Sequence, residues 1–158
     1  MEIGDHVPNA TVITETGAQH TLDELRNDQV AVLFFYPKDE SPICTIEACS
    51  FRDAYQDFVT AQAVVIGVSS DSAVSHQAFR ENHNLPYTLI ADKGGMLRKA
   101  FDVPKRLGFL EGRVTYVIDR DGIIQHIFNA PFSAAPHVAE ALTVVHRLQE
   151  DAVSGLDL

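Results

Sequence analysis

Cysteine is scarce in this sequence, with two in 158 residues. That is too few for a disulfide scaffold, and a chain with 46% hydrophobic residues does not need one to build a core. A reducing compartment, the cytoplasm, fits this usage, and there close cysteines are more often catalytic or metal-binding than structural. Cations are also in short supply: 12 Lys and Arg face 22 Asp and Glu, a formal net charge of −10. Such a balance repels phosphate backbones and anionic bilayers, so nucleic acid and membrane are poor partners. No run approaches the ~18 apolar residues of a membrane span. Met1-Glu2-Ile3-Gly4-Asp5 has neither the basic nor the apolar part of a secretion signal. Internal repeats and low-complexity segments are absent too.

What remains is material for one ordinary domain over residues 1–158, with 150–158 as a loose tail, since a single core organises roughly 100–200 residues. Val30–Tyr36 is an almost wholly apolar run ended by Pro37, the pattern of a strand buried on both faces. Ala63–Val68, Tyr87–Ile90 and Val114–Ile118 continue the series. Between the first two, Ala48, Phe51, Tyr55 and Phe58 recur at helical spacing, with Cys44 on the same stripe. Further helices are expected over about Ala73–His83, Gly95–Phe101 and Pro136–Glu150. Asp121-Gly122 marks a hairpin leading into Ile123–Phe128, and Thr11–Leu22 a weaker one at the N-terminus. Strands alternating with helices give an α/β fold: a central mixed sheet, its inner part largely parallel, flanking helices and an N-terminal hairpin.

The segment Pro37 to Cys44 leaves a buried strand and enters a helix, where open α/β sheets place their ligand sites. Ser41-Pro42 matches an N-cap and N1 pair, with the Ser oxygen accepting an orphan N–H and Pro lacking one. Cys44 then falls at N3, where unpaired N–H groups and the helix dipole favour a thiolate over a thiol. Asp39 and Glu40 oppose a further negative charge, so a cation is needed. Arg113, at the start of Val114–Ile118, and Arg52 in the cysteine helix are the candidates, and a neighbouring strand in the same parallel sheet would bring Arg113 to the edge of Cys44. Cys49 lies five residues on; in an intact helix that means about 7.5 Å of rise and about 140° of rotation. The Cα atoms would stand about 8–9 Å apart, beyond the ~7 Å limit of a disulfide, so any bond between them requires the first turns to unwind.

Set against this is the plain alternative that both cysteines are small packing residues. A dithiol site of the C-x-x-C kind is absent, and two Cys without His at finger spacing do not make a metal centre. Asp119-Arg120-Asp121-Gly122 is better explained as a hairpin turn than as the start of a calcium loop, and Gly94-Gly95 as a turn before a helix. His6, His20, His76, His83, His126, His137 and His146 carry no motif spacing, which leaves surface or packing roles.

At Pro37…Ser41…Cys44 the chain resembles the peroxiredoxins, whose pattern is P-x-x-x-[TS]-x-x-C. Phe35-Tyr36-Pro37-Lys38-Asp39, Cys44-Thr45-x-Glu47-Ala48-Cys49 and Phe51-Arg52-Asp53 narrow the resemblance to the Q-type, or bacterioferritin-comigratory-protein, branch. Asp71-Ser72…Ser75-His76…Phe79, Leu85–Leu89 and Gly112–Asp119 extend it over roughly residues 3–150. The resemblance implies a thioredoxin-like fold and a peroxidase needing no metal, haem or flavin cofactor. It implies Cys44 as the peroxidatic and Cys49 as the resolving thiol, and Pro37, Ser41 and Arg113 around a peroxide substrate. Glu47 and Arg52 are candidates for supporting residues. It further implies reduction of a Cys44–Cys49 disulfide by thioredoxin or a similar dithiol, in a monomer. Ile43 stands where the family usually has Gly, and Ser41 where Thr is commoner. A β-branched chain beside Cys44 would narrow access or favour apolar hydroperoxides. The competing functions are a redox sensor or scaffold that oxidises without turning over, and a binding module without redox activity.

Overall fold

A computed structural model describes residues 1–103, 112–129 and 135–156. Its strands and helices follow in the order β1 (Thr11–Ile13), β2 (Gln19–Thr21), α1 (Leu22–Arg26), β3 (Val30–Phe35), α2 (Pro42–Asp53), α3 (Tyr55–Thr60), β4 (Ala63–Ser69), α4 (Ala73–His83), β5 (Thr88–Ala91), α5 (Met96–Ala100), β6 (Val114–Ile118), β7 (Ile124–Asn129) and α6 (Ala135–Leu156). β1 and β2 form the N-terminal hairpin, while the other strands make one sheet in the order β5-β4-β3-β6-β7.

β3 sits at the centre because every one of its residues is apolar, and all six are buried. Its side chains alternate between two cores, as a period of two requires. Val30, Val32 and Phe34 pack with α2, α3 and α6 through Phe51, Phe58 and Val145. Ala31, Leu33 and Phe35 pack with Leu22, Leu97 and Phe101 on the opposite face. Phe34 stacks on Phe51 with ring centroids 4.5 Å apart, which seats α2 on the sheet. Close approach also shapes β4: a Cβ on Gly67 would meet Leu89 Cδ2 at 2.8 Å and Phe34 Cζ at 2.9 Å.

β3, β4 and β5 run parallel, but β6 is antiparallel to β3 with Val114 opposite Phe35, and β7 is antiparallel to β6. This corrects the route expected for Arg113. In a parallel neighbour, a residue at a strand's start would lie at the far edge from Cys44. The reversal of β6 brings its first residues beside the end of β3.

Other boundaries differ locally. The helix after Cys44 breaks at Ala54 (φ −93°, ψ 2°), so its apolar stripe continues from α2 into α3. α5 begins after Gly94 and Gly95, both at positive φ (79° and 70°), the turn anticipated there. α6 continues past Glu150 to Leu156, so residues 151–156 are helical rather than loose, and 157–158 lie outside the described residues. Asp119-Arg120-Asp121-Gly122 forms the hairpin turn: Asp119 Oδ1 accepts from the Asp121 and Ile123 N–H groups, and Gly122 has φ 83°. No helix among the described residues is long and apolar enough to cross a membrane.

Candidate active site

The site forms where β3 hands over to α2. Pro37 has no N–H to extend the ladder, and Glu40 turns the chain with a left-handed φ of 63°. Ser41 is the N-cap residue in extended conformation and Pro42 occupies N1, so Cys44 stands at N3. One detail differs from the sequence expectation: the Ser41 hydroxyl accepts no N–H from the helix. It donates instead to the Lys38 carbonyl at 2.9 Å, closing the loop on itself. The helix start therefore keeps N–H groups that the Ser41 side chain does not cap.

Cys44 is 1% exposed and belongs to the core beneath α2. Such burial alone would suit an inert packing thiol. Arg113, 3% exposed, changes this: one arm of its guanidinium donates to Cys44 Sγ at 3.0 Å, and the other to Glu47 Oε1 at 2.6 Å. Burial tends to discharge Arg113, but Glu47 and Cys44 outweigh it and raise its pKa further. Glu47 is fully buried one helical turn after Cys44. Burial drives its carboxyl up and Arg113 draws it back, leaving it at about 7. Its second oxygen has no hydrogen-bond partner and faces the His137 ring, with Nδ1 at 3.6 Å. The same Nδ1 lies 2.7 Å from Thr115 Oγ1, on the strand that Arg113 leads into.

The remaining candidates divide. Arg52 does not reach Cys44: it bonds Asp53 Oδ1 at 3.0 Å and the His83 carbonyl at 2.7 Å, and its electrostatic neighbour is Cys49. Its position along α2, eight residues past the thiol, turns it toward the end of α4 instead. Cys49 is half-buried, Cys44 is buried and both are free thiols in one continuous helix. Pro37 and Ser41 are half-buried at the two ends of the loop. The acidic neighbours are neutralised by position: Asp39 turns inward to His76, and Glu40 turns outward to His83 and Asn82.

Three further residues escape a reading of the sequence. Arg98 is buried and donates to the carbonyls of Gly112 at 2.9 Å and Tyr36 at 3.1 Å, tying the approach to Arg113 to the end of β3. His76 and His137, both 0% exposed, are core residues with polar partners. A signal for His76 exists: it shares an i, i+3 stripe with Phe79, so the buried face of α4 carries an imidazole.

The sequence that builds this buried thiol and bridging guanidinium matches a family model: residues 3–127 fit that of the AhpC/TSA family. The chain belongs to the AhpC/TSA family. Within that family the likeness is to peroxiredoxin Q. The chloroplastic peroxiredoxin Q of Triticum aestivum is 43% identical over 146 residues, covering 92% of this chain and 67% of the plant protein. Peroxidoxin BcpB of Mycobacterium tuberculosis superposes with a TM-score of 0.87 at 34% identity, over 94% of this chain and 98% of that one. Xanthomonas campestris peroxiredoxin Q gives a TM-score of 0.84 at 26% identity, over 94% and 97%. The fold is the thioredoxin-like one of these neighbours, and the chain is a peroxiredoxin of the Q, or bacterioferritin-comigratory-protein, branch. As an enzyme it is a peroxidase.

Proposed function

We propose that the chain reduces hydrogen peroxide and organic hydroperoxides through a two-cysteine cycle, with Cys44 peroxidatic and Cys49 resolving. The observation that carries this reading is the 3.0 Å bond from Arg113 to Cys44 Sγ, which sets a permanent cation against a sulfur at a helix start. The Cys44 thiolate attacks one peroxide oxygen, forming the S–O bond as the O–O bond breaks. The departing oxygen carries the electron pair and takes up a proton, leaving as water or alcohol. Arg113, Ser41 and the unpaired N–H groups of the loop are the donors for that developing charge, with Pro37 shaping the pocket's rim. Cys49 then displaces the hydroxyl of the sulfenic acid as water, forming the disulfide before further oxidation of Cys44.

Because both sulfurs lie on α2 five residues apart, the second step requires the helix start to unwind. Thioredoxin or a similar dithiol supplies two electrons to restore the thiols, and the working form is a monomer. Two free cysteines fit a cytoplasmic setting. Ile43, half-buried next to the thiol, favours apolar hydroperoxides.

Mass spectrometry after one equivalent of peroxide tests the cycle. An intramolecular Cys44–Cys49 bond is expected, and Cys44 found only as sulfenic or sulfinic acid would remove Cys49 from its role. Steady peroxide consumption with thioredoxin and its reductase separates turnover from a sensor that oxidises once.

A further inference from the structure

The loop ahead of Cys44 is held by a buried polar cluster with no part in the chemistry above. Asp39 is 5% exposed and His76 is 0% exposed. Asp39 Oδ1 accepts from the Tyr36 hydroxyl at 2.6 Å, and Oδ2 accepts from Ser75 Oγ at 2.8 Å and lies 2.7 Å from His76 Nδ1. The opposite ring nitrogen of His76 lies 2.8 Å from the Ile90 carbonyl. Nδ1 thus faces the Asp39 carboxylate and Nε2 a carbonyl, an arrangement that favours a proton on both nitrogens, the imidazolium. The Asp39 main-chain N–H is bound in turn by Asp71 Oδ2 at 2.8 Å, which Ser69 Oγ also holds at 2.7 Å.

Five elements converge here: the end of β3 (Tyr36), the loop (Asp39), the turn after β4 (Asp71), the start of α4 (Ser75, His76) and β5 (Ile90). Their charged and titratable groups facing His76 are Asp39, Asp71 and Tyr36. Asp39, Asp71 and His76 bring ligand-type atoms within 4.8 Å of one another, yet the Asp39 and His76 atoms are already occupied by the bonds above. An anchor explains the cluster better than a metal site does.

We propose that His76 is a positioning residue for peroxide reduction, clamping Asp39 so that the loop from Tyr36 to Ser41 stays fixed while α2 unwinds from Pro42 onward. The Ser41 to Lys38 bond extends the fixed piece to the last residue before the helix. Pro37 and Ser41 thereby hold their places around the thiol, and the unwinding needed for the Cys49 step is confined to the helix. Loosening the clamp has opposite effects on the two steps: the preorganised pocket is lost, while the helix start opens more readily. The inference rests on Cys44 being the peroxidatic thiol.

The test is stopped-flow kinetics of wild type and His76→Gln across pH, following Cys44 oxidation by hydrogen peroxide and the disulfide step separately. Wild-type Cys44 that fails to oxidise would sink the underlying assignment and not the clamp alone. With wild type active, His76→Gln is expected to slow oxidation roughly tenfold while accelerating disulfide formation, since small misplacements of reacting groups are costly. The wild-type oxidation rate should carry a loss at alkaline pH, as the ring deprotonates, that the variant lacks. Oxidation at the wild-type rate, or both steps slowed in parallel, overturns the proposal. Should His76→Gln not fold, Ser75→Ala removes one donor to Asp39 and must give the same split, roughly twofold in size.

Discussion

The Arg113 guanidinium donates to Cys44 Sγ at 3.0 Å while its other arm holds Glu47 at 2.6 Å, so one side chain is shared between a buried thiol and a buried acid. Arg113→Gln should slow Cys44 oxidation by roughly 10²–10³-fold, the usual cost of a lost transition-state donor. Arg113→Lys should recover little, because an ammonium lacks the planar fork that spans both partners. Second-order rate constants from stopped-flow fluorescence or competition with a reference peroxidase would decide this, and a near-normal rate in Arg113→Gln would leave the site without its cation.

Glu47 makes stability depend on pH. Its carboxyl titrates at 4.5 in the unfolded reference and is pushed up to about 7 by burial, with Arg113 opposing. The folded state therefore holds a proton that the unfolded chain releases across this window. Its contribution is present in full below pH 4.5 and is lost as pH rises through 7, roughly 3 kcal/mol at most. Urea denaturation between pH 4.5 and 7 should show this decline, and Glu47→Gln should flatten it.

His76 extends the same trend to higher pH. Burial lowers its pKa, but the hydrogen bond and charge of Asp39 prevail and raise it above 6.5. Stability from the clamp is complete below pH 6.5 and disappears as pH passes the raised folded value. Replacing His76 with Gln should remove this second decline from the wild-type curve.

Cys49→Ser should leave the first oxidation of Cys44 at the wild-type rate and stop turnover with thioredoxin, whereas Cys44→Ser should abolish both. Single-turnover and steady-state assays on the two variants separate the roles. Turnover persisting in Cys49→Ser would point to direct reduction of the sulfenic acid by an external thiol.

Gly67→Ala probes the sheet beneath the site. The added methyl would sit 2.8 Å from Leu89 Cδ2 and 2.9 Å from Phe34 Cζ, in a core with no slack. A loss of roughly 1–3 kcal/mol is expected from overpacking, measured as a lower urea midpoint.

Much of the fold and the site is legible in the amino-acid sequence, though unevenly. β3 is readable because an unbroken run of six apolar residues has one good location, and Cys44 at N3 because Ser-Pro is a strong helix start. Strand direction is not: Val114–Ile118 is buried on both faces and looks the same in either orientation, so pattern alone misplaces the way Arg113 reaches the thiol. Residue type alone gives Ser41 a capping bond, yet its hydroxyl has a nearer acceptor in Lys38. The Asp39–His76 pair joins residues 37 positions apart, and nothing in either local segment signals a partner at that range. Arg52 sits in the right helix, and only the ending of α4 beside it explains where its guanidinium goes.

The reversal of β6 gives the pocket two mechanical characters. The guanidinium stands at the head of a strand laced to β3 along its whole length, with Val114 opposite Phe35, so it keeps its place for as long as the sheet survives. The sulfur rides on the first turn of a helix, where backbone bonds are fewest. Under gentle heating or dilute urea, peroxide-reducing power should fade while far-ultraviolet ellipticity and the buried tyrosine signal are still close to native.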